Sequence, residues 1–124
     1  MAYHINIEKK SLKNSYYRNV LYTTENMQLV VMSLKPNTEI GLEKHRKIDQ
    51  FIRIESGTGK AIITNNKKEI IQTITLTDGS AIVIPKNTYH NIINTGSDKL
   101  KLYSIYSPPN HLPKTIHKNK PDDD

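Results

Sequence analysis

Short apolar segments in which apolar and polar residues alternate follow one another along most of this chain. Turn-forming residues such as Asp78-Gly79 separate them, and helical periodicity is hard to find. Strands spaced about 8 to 12 residues apart are typical of an all-β sandwich or barrel. We therefore predict about eight strands, over residues 17–24, 27–34, 50–56, 60–65, 69–76, 80–85, 89–95 and 100–106.

The length of 124 residues allows one domain with a substantial core and is too short for two. Within it we predict an N-terminal arm or strand over residues 1–16, a barrel over 17–107 and a proline-rich C-terminal tail over 108–124. Four prolines make this tail extended or irregular rather than helical, so that it can wrap the barrel or a partner subunit.

Composition excludes several classes of protein. The chain has no cysteine, which rules out disulfides and thiolate metal sites. No apolar segment approaches the roughly 20 residues needed to span a bilayer, and the N-terminus lacks the apolar core of a signal peptide, so we expect a cytoplasmic protein with no membrane partner. The net charge of +6 comes from scattered lysines rather than from one basic stripe, so we predict no nucleic-acid partner.

Four polar residues lie at predicted strand ends beside apolar residues that point inward. Glu43 and His45 are two positions apart and share a face if the chain is extended there, while Gln50 and His90 begin two strands. Two imidazoles with one carboxylate form the set that leaves open positions on a first-row divalent metal. We predict that Glu43, His45, Gln50 and His90 bind a divalent ion at the mouth of the barrel, either Zn, Mn, Fe or Ni.

Each of these residues also has a structural alternative. His90 can be a hydrogen-bonded core histidine, and Glu43 a solvated charge. Gln50 offers a neutral amide oxygen, which can hydrogen-bond to a bound water instead of the metal. Glu43 is also the candidate catalytic base, a role that it can take only if it is not a ligand.

Five other polar residues have less specific roles. Arg53 alternates out of phase with Gln50, so we expect it to face outward and to pair with Glu55. Asn94 is expected to fix a turn or to contact a ligand residue. In the tail, His111 and His117 can fold over the barrel as a lid, but we expect them to be exposed.

The sequence resembles the cupins, whose second motif has the form G-x5-P-x-G-x2-H-x3-N. Gly79, Pro85, His90 and Asn94 stand at these spacings, and Asn87 replaces the second glycine.

The first cupin motif, G-x5-H-x-H-x3-4-E-x6-G, is less complete. His45 and Gly57 match it, whereas Asn37, Glu43 and Gln50 stand in place of the first glycine, the first histidine and the glutamate. Asparagine is the residue that best tolerates positive φ after glycine, so the turns at both altered glycines are expected to survive. Glu43 adds a carboxylate where Gln50 removes one, which keeps one anion in the ligand set.

Several segments look like a subgroup of single-domain bacterial cupins that are labelled mannose-6-phosphate-isomerase-like, and this resemblance covers about residues 17–118. It implies a double-stranded β-helix jelly roll, a divalent metal inside the barrel and a homodimer. Cupin chemistry is varied, so the fold alone does not give the reaction. We predict a metal-dependent enzyme that acts on a small molecule such as a sugar or sugar phosphate. The alternatives are a non-catalytic ligand- or carbohydrate-binding module, an iron-dependent dioxygenase and a metal-free barrel.

Overall fold

The computed structural model describes residues 1–122 and confirms an all-β fold. The eight predicted strands are present, and a helix and a short ninth strand add to them. The elements are α1 (Ile7–Lys13), β1 (Arg18–Thr23), β2 (Gln28–Leu34), β3 (Asp49–Ser56), β4 (Gly59–Thr64), β5 (Ile70–Leu76), β6 (Ala81–Ile84), β7 (Tyr89–Asn94), β8 (Leu100–Ser107) and β9 (Ile116–His117).

Two antiparallel sheets form the double-stranded β-helix. The larger sheet has six strands in the order β6-β3-β8-β2-β1-β9, and the smaller has three in the order β5-β4-β7. Isolated bridges from Glu39 to Ile93 and from Glu43 to His90 place the segment between β2 and β3 along the free edge of β7. An irregular segment thereby extends the smaller sheet beside its three strands. This segment contains two of the predicted ligands, Glu43 and His45.

The core lies between the sheets and consists of inward-facing residues from both. Each fully buried Leu, Ile or Val contributes roughly 1.5 to 3 kcal/mol of transfer free energy. The largest fully buried apolar side chains of the core come from six of the strands: Val30, Met32, Leu34, Ile52, Ile54, Leu76, Ile84, Ile92, Leu100 and Leu102.

The N-terminal segment 1–16 contains α1 rather than a strand. Asn6 caps the helix, accepting a hydrogen bond from the Lys9 backbone N–H at 3.0 Å, and the buried Ser11 lies on the face that packs against the larger sheet. The helix has seven residues, too few for a periodic apolar pattern to stand out. Among residues 1–122, no helix is long and apolar enough to cross a membrane.

The proline-rich tail is extended and returns along β1, as its composition predicts. β9 pairs antiparallel with β1, and the Val20 N–H donates to the Thr115 carbonyl at 2.9 Å. The expectation that the tail histidines are exposed is wrong, because both are half-buried. His117 lies in β9, with Nδ1 2.9 Å from Arg18 Nη1, and His111 packs at the other end of the tail.

Asparagine stands at two turns where the cupin motifs have glycine, and both asparagines adopt a positive φ. Asn37 has φ 62° and Asn87 has φ 64°, both in the left-handed region. The prediction that these turns survive is confirmed.

Candidate metal centre

The backbone brings Glu43 and His90 together directly. The Glu43 N–H donates to the His90 carbonyl and the His90 N–H donates to the Glu43 carbonyl, both at 2.9 Å. The alternation argument assumed that Glu43 and His45 lie in a regular strand. They lie instead in an irregular segment held beside β7. Their two-residue spacing still places both side chains on the same site.

His45 is held by its backbone and by aromatic neighbours. Its carbonyl accepts a hydrogen bond from the Asn87 N–H at 2.6 Å, so the turn with positive φ fixes the histidine. The His45 ring lies 5.5 Å from the His90 ring and 5.9 Å from the Tyr106 ring, which it meets edge-on. Because these contacts come from three parts of the chain, the imidazole is oriented by the fold rather than by local sequence.

Three side chains converge with the composition expected of a metal site. One donor atom from each of Glu43, His45 and His90 lies within 4.8 Å of the others. Glu43 Oε1 is 3.4 Å from the Nε2 atoms of both histidines. These separations are too long for strong hydrogen bonds and leave room between the donors.

The His90 ring is oriented by its other nitrogen. Nδ1 lies 2.9 Å from the Thr88 carbonyl oxygen, which can only accept, so Nδ1 carries the proton. In the neutral ring the lone pair is therefore on Nε2, which points to Glu43. A histidine fixed in this way by a backbone carbonyl is the usual arrangement for metal ligation. The alternative of a fully hydrogen-bonded core histidine does not describe this residue, although its exposure is only 2%.

Gln50 is buried in β3 with only one end of its amide engaged. Nε2 donates to Ser104 Oγ at 3.2 Å, while Oε1 is buried without a hydrogen-bond partner. Gln50 pairs with Tyr106 across β3 and β8, and the Tyr106 ring contacts His45. Ser104, which the sequence did not single out, therefore holds the amide, and Tyr106 is the residue that links the position of Gln50 to His45, whereas the three side chains that converge directly are Glu43, His45 and His90.

Three buried donor atoms at this end of the barrel have no hydrogen-bond partner within residues 1–122: His45 Nε2, Gln50 Oε1 and His90 Nε2. Leaving such an atom unsatisfied in a protein interior costs about 1 to 3 kcal/mol. Two imidazole nitrogens and an amide oxygen beside a carboxylate are donors that a divalent first-row metal accepts. The residues present therefore fit a metal ion.

The electrostatics favour an ionised carboxylate at the centre. Burial alone would raise the pKa of Glu43, but hydrogen bonds and positive charge from His45 and His90 in their protonated form outweigh this effect and lower the pKa to about 2. Glu43 is thus an anion at neutral pH. The four predicted ligands together carry one negative charge when both imidazoles are neutral.

The tail closes this end of the barrel through one buried glutamine that sequence reasoning missed. Gln28 is fully buried, and its Oε1 accepts from the backbone N–H groups of Asn110 and His111 at 3.1 and 2.9 Å. Its Nε2 donates to the His111 carbonyl at 2.7 Å and to Thr23 Oγ1 at 2.9 Å. No local pattern distinguishes Gln28 from an exposed strand-end residue, because its partners in the tail, Asn110 and His111, are more than 80 positions away.

This clamp places His111 one aromatic ring away from the Glu43–His45–His90 cluster. The His111 ring meets the Tyr106 ring edge-on at 5.4 Å, and Tyr106 in turn contacts His45. Of the two alternatives that the sequence left open for His111, packing against the barrel describes the structure better than exposure to solvent.

The remaining predicted residues lie away from the cluster. Arg53 Nη1 is 2.6 Å from Glu55 Oε1, which confirms their pairing. Asn94 fixes a turn: its Nδ2 donates to the Leu34 and Asp98 carbonyls, both at 2.9 Å, and its Oδ1 accepts from the Gly96 N–H at 2.9 Å.

Comparison with known proteins agrees with this fold. The chain is 48% identical over 123 residues to the uncharacterized protein L612 of Acanthamoeba polyphaga mimivirus, covering 97% of this chain and 74% of that protein. It is 44% identical over 118 residues to the uncharacterized protein YrkC of Bacillus subtilis (strain 168), covering 95% of this chain. The chain spans only 63% of the length of YrkC.

Among solved structures, the crystal structure of BH2720 from Bacillus halodurans superposes with a TM-score of 0.94 at 38% identity, covering 97% of this chain and 91% of that one. The family model of the cupin domain matches residues 30–106. This matched region contains all four predicted ligands and spans β2 to β8. The chain belongs to the cupin superfamily.

Proposed function

We propose that Glu43, His45, Gln50 and His90 bind a divalent metal ion and that the protein is a metal-dependent enzyme acting on a small molecule. The observation that carries this proposal is that two buried imidazole nitrogens, His45 Nε2 and His90 Nε2, lie beside the Glu43 carboxylate without hydrogen-bond partners, while Gln50 Oε1 is buried and equally without one. The substrate class that we propose is a sugar or sugar phosphate, in an isomerase-like reaction, on the resemblance to mannose-6-phosphate-isomerase-like cupins.

The residues of the chain have distinct parts in this proposal. His45 and His90 supply neutral nitrogens, Gln50 a neutral oxygen, and Glu43 the one anion, so that a dication keeps a net positive charge toward the substrate. The chemistry supplied by the bound ion is Lewis-acid polarisation of a substrate carbonyl, with stabilisation of the negative charge that develops on proton removal. The Thr88 carbonyl and Ser104 hydroxyl hold two of the ligands in place.

Glu43 is assigned as a ligand rather than as the general base. Its Oε1 is equally distant from both imidazoles, which is the position of a fourth donor to a shared centre. The clamp formed by Gln28 holds His111 beside Tyr106 and so limits the access of water to this end of the barrel.

A ligand-binding module without turnover is the second candidate. One observation favours it: the one carboxylate of the Glu43–His45–His90 cluster contacts both histidines, which leaves that cluster without a free carboxylate base. An iron-dependent dioxygenase uses the same composition of two histidines and one carboxylate, and metal identity separates it from the isomerase-like proposal.

The first experiment is elemental analysis of tag-free protein purified without added metal or chelator. We expect near-stoichiometric metal in the wild type, loss of the metal in His90→Ala, and retention in His4→Ala, which removes an exposed imidazole. Zinc or manganese would favour the isomerase-like reaction, and iron the dioxygenase.

The opposite result is equally informative. If the wild type and His4→Ala both hold no metal after incubation with iron, manganese, nickel and zinc, the metal proposal is wrong and the binding module replaces it.

We further propose a homodimer and a cytoplasmic location. β5 and β6 are edge strands of their sheets, and nearby side chains are largely exposed, with 63% for Ile70, 65% for Ile71 and 68% for Val83. Exposed edges of this kind are usually covered. Sedimentation velocity of the wild type and of Ile71→Lys tests the dimer, since the charged variant should dissociate; a wild-type monomer would overturn it.

A further inference from the structure

A hollow lies at the end of the barrel opposite the candidate metal centre. Its volume is about 230 Å³. β8 connects the two ends: it starts after Lys99, at the hollow, and reaches Tyr106, at the metal ligands. The residues that line the hollow are Ser15, Tyr17, Ser33, Lys35, Thr38, Lys99, Lys118, Asn119 and Lys120, and we call this hollow the lysine cavity.

Four of these residues are lysines that come from three separate parts of the chain. Lys35 follows β2, Lys99 precedes β8, and Lys118 and Lys120 are on the tail after β9. None of the nine lining residues, all within the described part of the chain, is acidic. Like charges around one hollow repel one another, and an anion in the hollow reduces that repulsion.

The tail is fastened so that it completes this arrangement. The Tyr17 N–H donates to the Lys118 carbonyl at 3.2 Å, and Lys120 Nζ donates to the Glu39 carbonyl at 3.0 Å. These contacts use backbone carbonyls and not carboxylates, so the positive charges of the tail lysines are not neutralised by them. Without the tail, half of the lysines would be missing from the cavity.

Hydroxyl groups line the lysine cavity, and further lysines lie beside it. Ser15, Ser33 and Thr38 supply hydroxyls to the lining, and Ser33 is buried. A neighbouring hollow shares Ser15 and is bordered by Lys10 and Lys13 on and beside α1. Six lysines therefore lie around Ser15, while the net charge of the whole chain is +6.

We propose that the lysine cavity binds a phosphorylated small molecule that carries at least two negative charges. Ammonium groups act as point charges toward phosphate, and hydroxyls donate to its remaining oxygens, whereas a carboxylate would be matched by the planar fork of an arginine, which this lining lacks. The concave shape suits a small molecule better than a membrane surface or a nucleic-acid backbone. This site is independent of the proposed metal centre.

Pyrophosphate is the probe, and calorimetric titration measures its affinity for the full chain. The double variant Lys35→Gln/Lys118→Gln removes two cavity charges and should weaken binding by about tenfold or more. The matched control Lys67→Gln/Lys68→Gln removes the same charge from the β4–β5 hairpin, which lies at the metal end, and should change the affinity by less than about twofold. Equal losses in both variants would mean a general charge effect and would overturn the proposal.

Location and specificity give a second test. In ¹⁵N-correlated NMR spectra, pyrophosphate should shift the amides of Ser15, Ser33 and Thr38, in the wild type and equally in His90→Ala. Shifts confined to the region of Glu43 and His90, or lost in His90→Ala, would assign the anion to the metal centre and overturn a second site. Tighter binding to vesicles of anionic lipid or to a short oligonucleotide than to pyrophosphate would also overturn the small-molecule assignment.

Discussion

His90 and Asn94 lie in the same strand, both are buried and both belong to the same cupin motif, yet their side chains are used in opposite ways. Asn94 makes three hydrogen bonds, two as donor to the Leu34 and Asp98 carbonyls and one as acceptor from the Gly96 N–H. His90 uses only Nδ1, and its Nε2 is buried without a hydrogen-bond partner next to Glu43.

The difference shows that one motif serves two purposes. At the Asn94 end of β7 the amide replaces backbone partners that the turn leaves unsatisfied, which stabilises the fold. At the His90 end, Nε2 remains in the interior without a hydrogen-bond partner, which lowers the stability of the fold. Such a cost is typical of a site whose partner is a ligand rather than another residue.

The largest effect on stability is expected from Asn94→Ala. It removes three hydrogen bonds in a buried place and should lower the free energy of unfolding by about 3 kcal/mol. Asn91→Ala is the matched control: it loses a single bond, from the Gly41 N–H at 2.9 Å, and should cost about 1 kcal/mol. Urea unfolding of metal-free protein measures both. A cost for His90→Ala as large as that for Asn94→Ala would break the contrast between the two ends of β7.

A change at Gln50 should move stability and metal affinity in opposite directions. Gln50→Glu places a second carboxylate near Glu43, which should destabilise the metal-free protein by about 1 to 2 kcal/mol and strengthen metal binding by about tenfold. Gln50→Met removes the amide oxygen at similar volume and should weaken metal binding. Unfolding without metal and titration against a competing chelator give the two quantities. Wild-type affinity in Gln50→Met would remove Gln50 from the ligand set.

The strands, and the convergence of Glu43, His45 and His90, were predictable from sequence because their signals are local. Alternation and turn residues mark β1 to β8, and the two-residue spacing of Glu43 and His45 survives although that segment is not a strand. The tolerance of asparagine for positive φ was enough to predict the turns at Asn37 and Asn87.

Contacts between distant parts of the chain were not predictable. Gln28 is joined to His111 across the length of the barrel domain, and Ser104 holds Gln50 across a strand pair. The short helix α1 is determined by packing against the larger sheet rather than by its own periodicity. In each case the tertiary fold decides which residues come into contact. A short stretch of sequence therefore cannot predict the contact.

The smallest expected effect is a pH dependence that only the metal end of the barrel should show. The pKa of Glu43 falls from 4.5 to about 2 on folding, so its charge stabilises the fold fully above pH 4.5 and progressively less as the pH falls toward 2. Since its side chain is 32% exposed, solvent screening reduces this contribution to about 1 kcal/mol. In metal-free protein, the destabilisation caused by Glu43→Gln should therefore shrink between pH 6 and pH 3, while exposed Glu25→Gln changes little at either pH. A Glu43→Gln effect that is constant across this range would mean that the carboxylate is not held by the two imidazoles.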